Sequence, residues 1–153
     1  MGLFLFLPIT MKQIIIFDFN RTLYDPSTDS LVPGTLQVLR RLSPTFSLYL
    51  VSTDAPSRLS LIKALGIEKY FKKIILIPEK TISLFELLSR SADISSSYVI
   101  GDRVRSEIRM GRAAGFRTIW VQSGKFSKET PRTVAEKPDY TVSSIRELLS
   151  LIR

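Results

Sequence analysis

Asp18, Asn20 and Thr22 stand at alternate positions directly after the apolar run Ile14-Ile15-Ile16-Phe17. Such a run reads as a strand buried on both faces, and it delivers Asp18 from a dry core to a strand end, where open α/β sheets place their ligands. If the extended geometry persists, the side chains of 18 and 20 point to the same side. A carboxylate at 18 in that position is a nucleophile or a metal ligand. A carboxylate at 20 would serve as a proton donor, a task the neutral amide of Asn20 cannot perform at neutral pH.

Further reactive types stand at comparable places. Ser52 and Thr53 follow the apolar segment FSLYLV, Lys80 precedes a helical pattern, and Asp102 follows SYVIG with Glu107 five residues later. Taken singly, Ser52 and Asp102 read as helix caps or turn residues and Lys80 as a solvated side chain. Taken together they describe a phosphate and metal site. Two acidic groups from neighbouring strand ends hold a hard divalent cation, for which Mg2+ is the natural candidate, while a hydroxyl and an ammonium bind phosphoryl oxygens. A carboxylate beside that metal is an adequate nucleophile, forming an aspartyl phosphate that water removes.

The elements needed to bring these residues together are legible as a pattern. The strand at Ile14 is followed by an irregular, Asp/Pro/Ser/Thr-rich stretch from Tyr24 to Val32, and Pro33-Gly34 opens a helix through Leu36, Leu39 and Leu42. Strands are predicted at 46–51, 74–77, 97–100, 118–121 and 140–142, with helices over 56–65, 81–90 and from Asp102 to about Ala114, and an amphipathic helix over 144–152. Gly66 and Gly115 take the helix-ending role. Short apolar strands alternating with helices imply right-handed crossovers and an α/β three-layer sandwich, a doubly wound and mainly parallel Rossmann-like sheet whose ligand edge is the carboxyl end of the strands.

Composition narrows the chemistry. The 153 residues, 44% of them hydrophobic, suffice for one core, so residues 11–153 are expected to form a single domain after an extension of residues 1–10. There is no histidine and no cysteine, which removes imidazole bases, phosphohistidine, disulfides, thiolate metal sites and a cysteine nucleophile. The net charge of +8 comes from scattered lysines and arginines without interleaved aromatics, so a nucleic-acid partner is weakly supported. Arg105, Arg109 and Arg112 share one helical face by their spacing, and a solvated face is the default for such a cluster. The apolar GLFLFLPIT stretch is too short to span a bilayer and lacks the basic start of a signal peptide, which favours a cytoplasmic protein.

The stretches IIIFDFNRTLYD, LYLVSTDAP, Lys80 ahead of its helix, and VIGDRVRSEIRMGRAAGFRTIWV resemble the haloacid dehalogenase (HAD) superfamily in its phosphatase branch, from Met11 to the terminal helix. The resemblance implies Asp18 as nucleophile and magnesium ligand, the backbone carbonyl of Asn20 as a further ligand, and Asp102 as the acidic metal anchor. It implies Ser52, or as second choice Thr53, and Lys80 on the transferring phosphoryl group, with Glu107 supporting the metal through water or Lys80 through a salt bridge. Asp18 and Ser52 are 34 positions apart and Ser52 and Lys80 28, too few for a cap domain at either usual insertion point, so the chain resembles a capless member. Capless relatives act on macromolecular phosphates or borrow a neighbouring subunit as lid, so the substrate is a small or macromolecular phosphate and a homo-oligomer is one way to complete the site.

Asn20 departs from the family pattern, which has aspartate there to protonate the leaving oxygen and then activate water, a contribution of roughly 10² to 10⁴ in rate. The sequence therefore predicts a magnesium-dependent phosphoric monoester hydrolase, slow on substrates with poor leaving groups. The alternatives are a non-catalytic phosphate- or polyanion-binding module on the same fold, and a phosphotransferase using the same site.

Overall fold

The run Ile14–Phe17 forms strand β1, with all four residues buried, in a computed structural model that describes residues 11–152. The extension expected at residues 1–10 lies outside the described residues. After β1 the stretch expected to be irregular contains an antiparallel hairpin, β2 (Tyr24–Asp25) and β3 (Ser30–Leu31). Helix α1 (Thr35–Leu42) starts at Gly34, whose φ of 94° lies in the left-handed region that glycine tolerates best. There follow β4 (Ser47–Thr53), α2 (Arg58–Ala64), β5 (Lys73–Ile77), α3 (Ile82–Ser89), β6 (Tyr98–Gly101), α4 (Arg109–Ala113), β7 (Arg117–Val121), β8 (Tyr140–Val142) and α5 (Leu148–Leu151).

The sheet has six strands in the order β5-β4-β1-β6-β7-β8, and every pairing in it is parallel. Alternation along β1 sends Ile15 and Phe17 into one core with α1, α2 and α5, and Ile14 and Ile16 into another with α3 and α4. The result is the three-layer, doubly wound α/β fold, and it explains why the central strands read as unbroken apolar runs. The chain leaves β1 toward β4 and β5, then returns to β6 on the other side of β1. That reversal is the topological switch point, and Asp18 and Asp102 follow the two strands that flank it.

Two helices differ from their sequence expectation. The segment after Asp102 opens as a π-helical turn, Val104–Ile108, in which the Ile108 amide reaches back to the Arg103 carbonyl at 3.4 Å, before α4 begins. Closing that bond over five residues widens the turn, and Val104, Glu107 and Ile108 are all buried within it. The terminal helix starts as a tight turn, Ile145–Glu147, because Ser144 and Glu147 form a reciprocal capping box there. Arg105, Arg109 and Arg112 do not form a free basic face: Arg105 donates to the Thr130 carbonyl, Arg109 to the Arg105 carbonyl, and Arg112 to Asp139 and the Lys137 carbonyl. Among the described residues no helix is long and apolar enough to cross a membrane.

Candidate active site

The loop that follows β1 is a tight turn built on one acceptor. The Phe19 carbonyl accepts from the amides of Leu23 at 3.0 Å and Tyr24 at 3.1 Å, and the Phe19 and Tyr24 rings stack with centroids 5.1 Å apart. Next to it, the Asp18 amide donates to the Ile100 carbonyl of β6 at 3.0 Å, which fixes Asp18 at the switch point. The Asp102 backbone is fixed in turn by the Trp120 indole, which donates to its carbonyl at 2.9 Å inside the core.

The side chains then converge. Lys80 Nζ donates to Asp18 Oδ1 at 2.5 Å and to Glu107 Oε1 at 2.6 Å, bridging the two carboxylates. Arg21 Nε donates to Asp102 Oδ2 at 2.8 Å. Asp18, Asp102 and Glu107 each offer a carboxylate oxygen within 4.8 Å of the others, and all three side chains are buried. A cavity of about 260 Å³ at this point is lined by Asp18, Asn20, Ser52, Thr53, Lys80, Asp102 and Glu107 together. The seven residues named from the sequence as catalytic, phosphate-binding or metal-binding candidates thus line one cavity. A roomier groove of about 720 Å³ runs beside α1 and Arg146, and none of the three acids lines it.

Burial sets the electrostatics. Desolvation pushes the Asp18 carboxyl above the usual carboxylate range; the Lys80 ammonium opposes that shift and the Asp102 charge adds to it. Asp102 and Glu107 are raised for the same first reason, with Arg21 opposing for Asp102 and the Asp18 charge adding for Glu107. Burial alone would lower Lys80, but Asp18 and Glu107 outweigh it and hold the ammonium firmly charged.

Three carboxylates therefore face two cations, and the balance has a visible gap. Glu107 Oε2 is buried without a hydrogen-bond partner among the described residues. An orphaned carboxyl oxygen at that depth is costly unless a donor or a further positive group comes to it. The donor set is all oxygen, which suits a hard divalent cation. The same oxygen lies where a side chain at 101 would be: a Cβ on Gly101 would stand 2.8 Å from it, so Gly101 is the residue that admits Glu107 to the cluster.

The two candidate hydroxyls, Ser52 and Thr53, both line the cavity and differ in burial. Ser52 is buried; its Oγ accepts from Arg58 Nη1 at 3.2 Å and donates to the Thr53 carbonyl at 3.2 Å, while Thr53 is exposed. Thr22 Oγ1 donates to Asp18 Oδ2 over a long 3.4 Å. Arg21, Arg58 and Arg103 were missed in the sequence. Arg21 adopts a left-handed backbone, φ 62°, at a position hidden between two motif residues, and its side chain folds back onto Asp102. Its basic type inside an acidic motif was the one available signal.

Residues 77–148 match the HAD-hydrolase-like family model. A haloacid dehalogenase-like family hydrolase from Streptococcus pneumoniae superposes with a TM-score of 0.73 at 17% identity, covering 93% of this chain and 99% of that one. A HAD hydrolase from Bacillus subtilis, solved bound to magnesium, gives 0.67 at 20% identity over 80% of this chain and 56% of its own. In sequence, the chain is 27% identical over 96 residues to the glyceraldehyde 3-phosphate phosphatase of Methanopyrus kandleri. That match takes in 58% of this chain and spans about two fifths of the relative's length, 41%. Over residues 77–148 the chain is similar in sequence to the HAD-hydrolase-like family, and the solved HAD-like structures share its fold.

Proposed function

We propose that this chain is a magnesium-dependent phosphatase-like hydrolase in which Asp18 accepts the phosphoryl group and water then removes it. The observation that carries the reading is the bridge from Lys80 to Asp18 and Glu107 at 2.5 and 2.6 Å, inside a cavity that Asp102 also lines. It puts a permanently charged ammonium against the carboxylate that must attack an anion. Asp18, Asp102 and the Asn20 backbone carbonyl would hold Mg2+, with Glu107 supporting it through water or through Lys80. When bound, the cation supplies charge neutralisation that lets a phosphoryl dianion approach a carboxylate.

The chain's own residues perform the rest. Lys80 orients and neutralises phosphoryl oxygens, and the Ser52 hydroxyl, held by Arg58, donates to another on turning from the Thr53 carbonyl. Attack forms the Asp18 Oδ–P bond and breaks the P–O bond to the leaving group, whose oxygen departs with the electron pair. No carboxylic acid at position 20 protonates that oxygen, so esters with weakly basic leaving groups are the favoured substrates. Between Asp18 and Ser52 the chain forms the short hairpin and α1, which supports the capless reading and an open site. The phosphatase of Methanopyrus kandleri makes a small phosphorylated sugar one candidate substrate.

The reading is tested by phosphate release from a panel of aryl, acyl and nucleotide phosphates with Mg2+ and with the metal chelated. Release that requires the metal is expected, and no turnover on any member of the panel refutes the proposal. Asn20 is the observation in favour of a binding module instead, and such a module would hold the same ligands without releasing phosphate.

The raised carboxyls give a second expected result. Metal binding requires them ionised, so protons compete with the cation, and Mg2+ affinity falls as pH falls. Because burial raises Asp18, Asp102 and Glu107, the decline should begin above the usual carboxylate range near pH 4. Calorimetric titration of Mg2+ across pH checks this, and an affinity that holds constant down to about pH 4 contradicts it.

A further inference from the structure

A second cavity, of about 430 Å³, adjoins the acidic one, and Arg21 lines both. Pro26, Val32 and Pro33 give it apolar walls, and Lys125, in the loop after β7, contributes a second cation. Its one carboxylate, Asp25, is already engaged: Oδ1 accepts from the Ser27 amide at 2.9 Å and from the Ser27 hydroxyl at 2.6 Å. Lys125 makes no salt bridge among the described residues. The Ser27 bonds hold Asp25 ionised, so two cations, Arg21 and Lys125, and one carboxylate line the cavity beside an apolar surface.

Arg21 is firmly placed between the two cavities. Its Nε is held by Asp102 Oδ2 at 2.8 Å, and its guanidinium carbon lies 4.9 Å from the centre of the Phe126 ring. Its stem runs under Gly124, where a Cβ would stand 3.7 Å from Arg21 Cδ. Arg103 stacks on the same Phe126 ring at 4.1 Å and pairs with Glu129, so the loop that carries Lys125 is tied to the loop that carries Asp102. A guanidinium has five N–H donors, and Asp102 takes one. The remaining capacity suits a carboxylate, which guanidinium groups bind in a forked, charge-assisted way.

We propose that this second cavity seats the leaving group of the phosphate ester, and that it selects an organic leaving group bearing its own carboxylate, which Arg21 and Lys125 bind while the apolar part lies on Pro26, Val32 and Pro33. The inference rests on the phosphatase reading of the acidic cavity. The volume fits a small organic group. Arg21 is then a specificity residue that joins the reacting end of the substrate to its recognition end.

The test compares benzylphosphonate with 4-carboxybenzylphosphonate, neither of which is hydrolysed, by calorimetry on the full chain with Mg2+ present. The carboxylated compound is expected to bind about tenfold tighter, the size of one charge-assisted hydrogen bond. Lys125→Met, an exposed change outside the acidic cavity, should shrink that preference to about threefold or less; Arg21→Met should remove the preference as well. Equal affinity of the native chain for the two compounds, no binding of either, or a preference unaltered in both variants overturns the proposal. Phosphate release from phenyl phosphate and 4-carboxyphenyl phosphate is scored separately. A binding preference without release sinks the phosphatase reading and the leaving-group role with it, leaving only a carboxylate-binding cavity, while release without preference overturns the subsite alone.

Discussion

Asp18→Asn is expected to reduce phosphate release by roughly 10⁵-fold or more, the order of loss seen when an enzyme's nucleophile is removed. The substitution preserves side-chain volume in a buried position and removes one negative charge from a group of three carboxylates, so it relieves repulsion with Asp102. Lys80 keeps Glu107 as its partner at 2.6 Å, and the fold is expected to survive. Thermal melting followed by circular dichroism checks that point, and phosphate release from an aryl phosphate under Mg2+ measures the loss. A folded Asp18→Asn protein that keeps more than about a hundredth of the native rate would mean that Asp18 is not the nucleophile, since no neighbouring amide replaces a carboxylate in forming an acyl phosphate. Water attacking directly, with the acids serving the metal alone, would then be the surviving mechanism.

The fold was legible because burial writes itself into single segments. β1, β6 and β7 are covered on both faces, so their apolar runs stand out, and the residues just beyond β1 and β6 could be recognised as strand-end groups without knowing which strands are neighbours. That Asp18 and Asp102 come from adjacent strands follows from the order of the sheet, to which a local pattern gives no access. The hairpin β2–β3 and the π-helical turn at Val104–Ile108 were not legible, since each is decided by a few long-range contacts. Within the site, Asp18, Ser52, Lys80, Asp102 and Glu107 were found because acids, hydroxyls and an ammonium at element boundaries invite a functional reading. Arg21 was not, because its role depends on a left-handed backbone that turns its side chain onto a carboxylate 81 residues away.

Asn20→Asp is expected to raise kcat on alkyl phosphates by about 10² to 10⁴, and on aryl phosphates by less than about tenfold. An alkoxide approaches the basicity of hydroxide and leaves poorly without a proton, whereas a phenolate, with a pKa near 10, leaves unaided far more readily. The new carboxyl would enter a cavity that already holds three carboxylates against Lys80 and Arg21. Their charge disfavours its ionisation, so it stays protonated to a higher pH than a free aspartic acid, which is the state a proton donor needs. Parallel rates on one alkyl and one aryl ester, measured on the native chain and on the variant, give the comparison. A gain confined to the alkyl ester locates the native deficit in leaving-group protonation and implies that nucleophile, ammonium and metal acids are already competent. Equal gains on both esters would place the effect before bond cleavage, in binding or in the metal, and the account of Asn20 as a missing acid would fail.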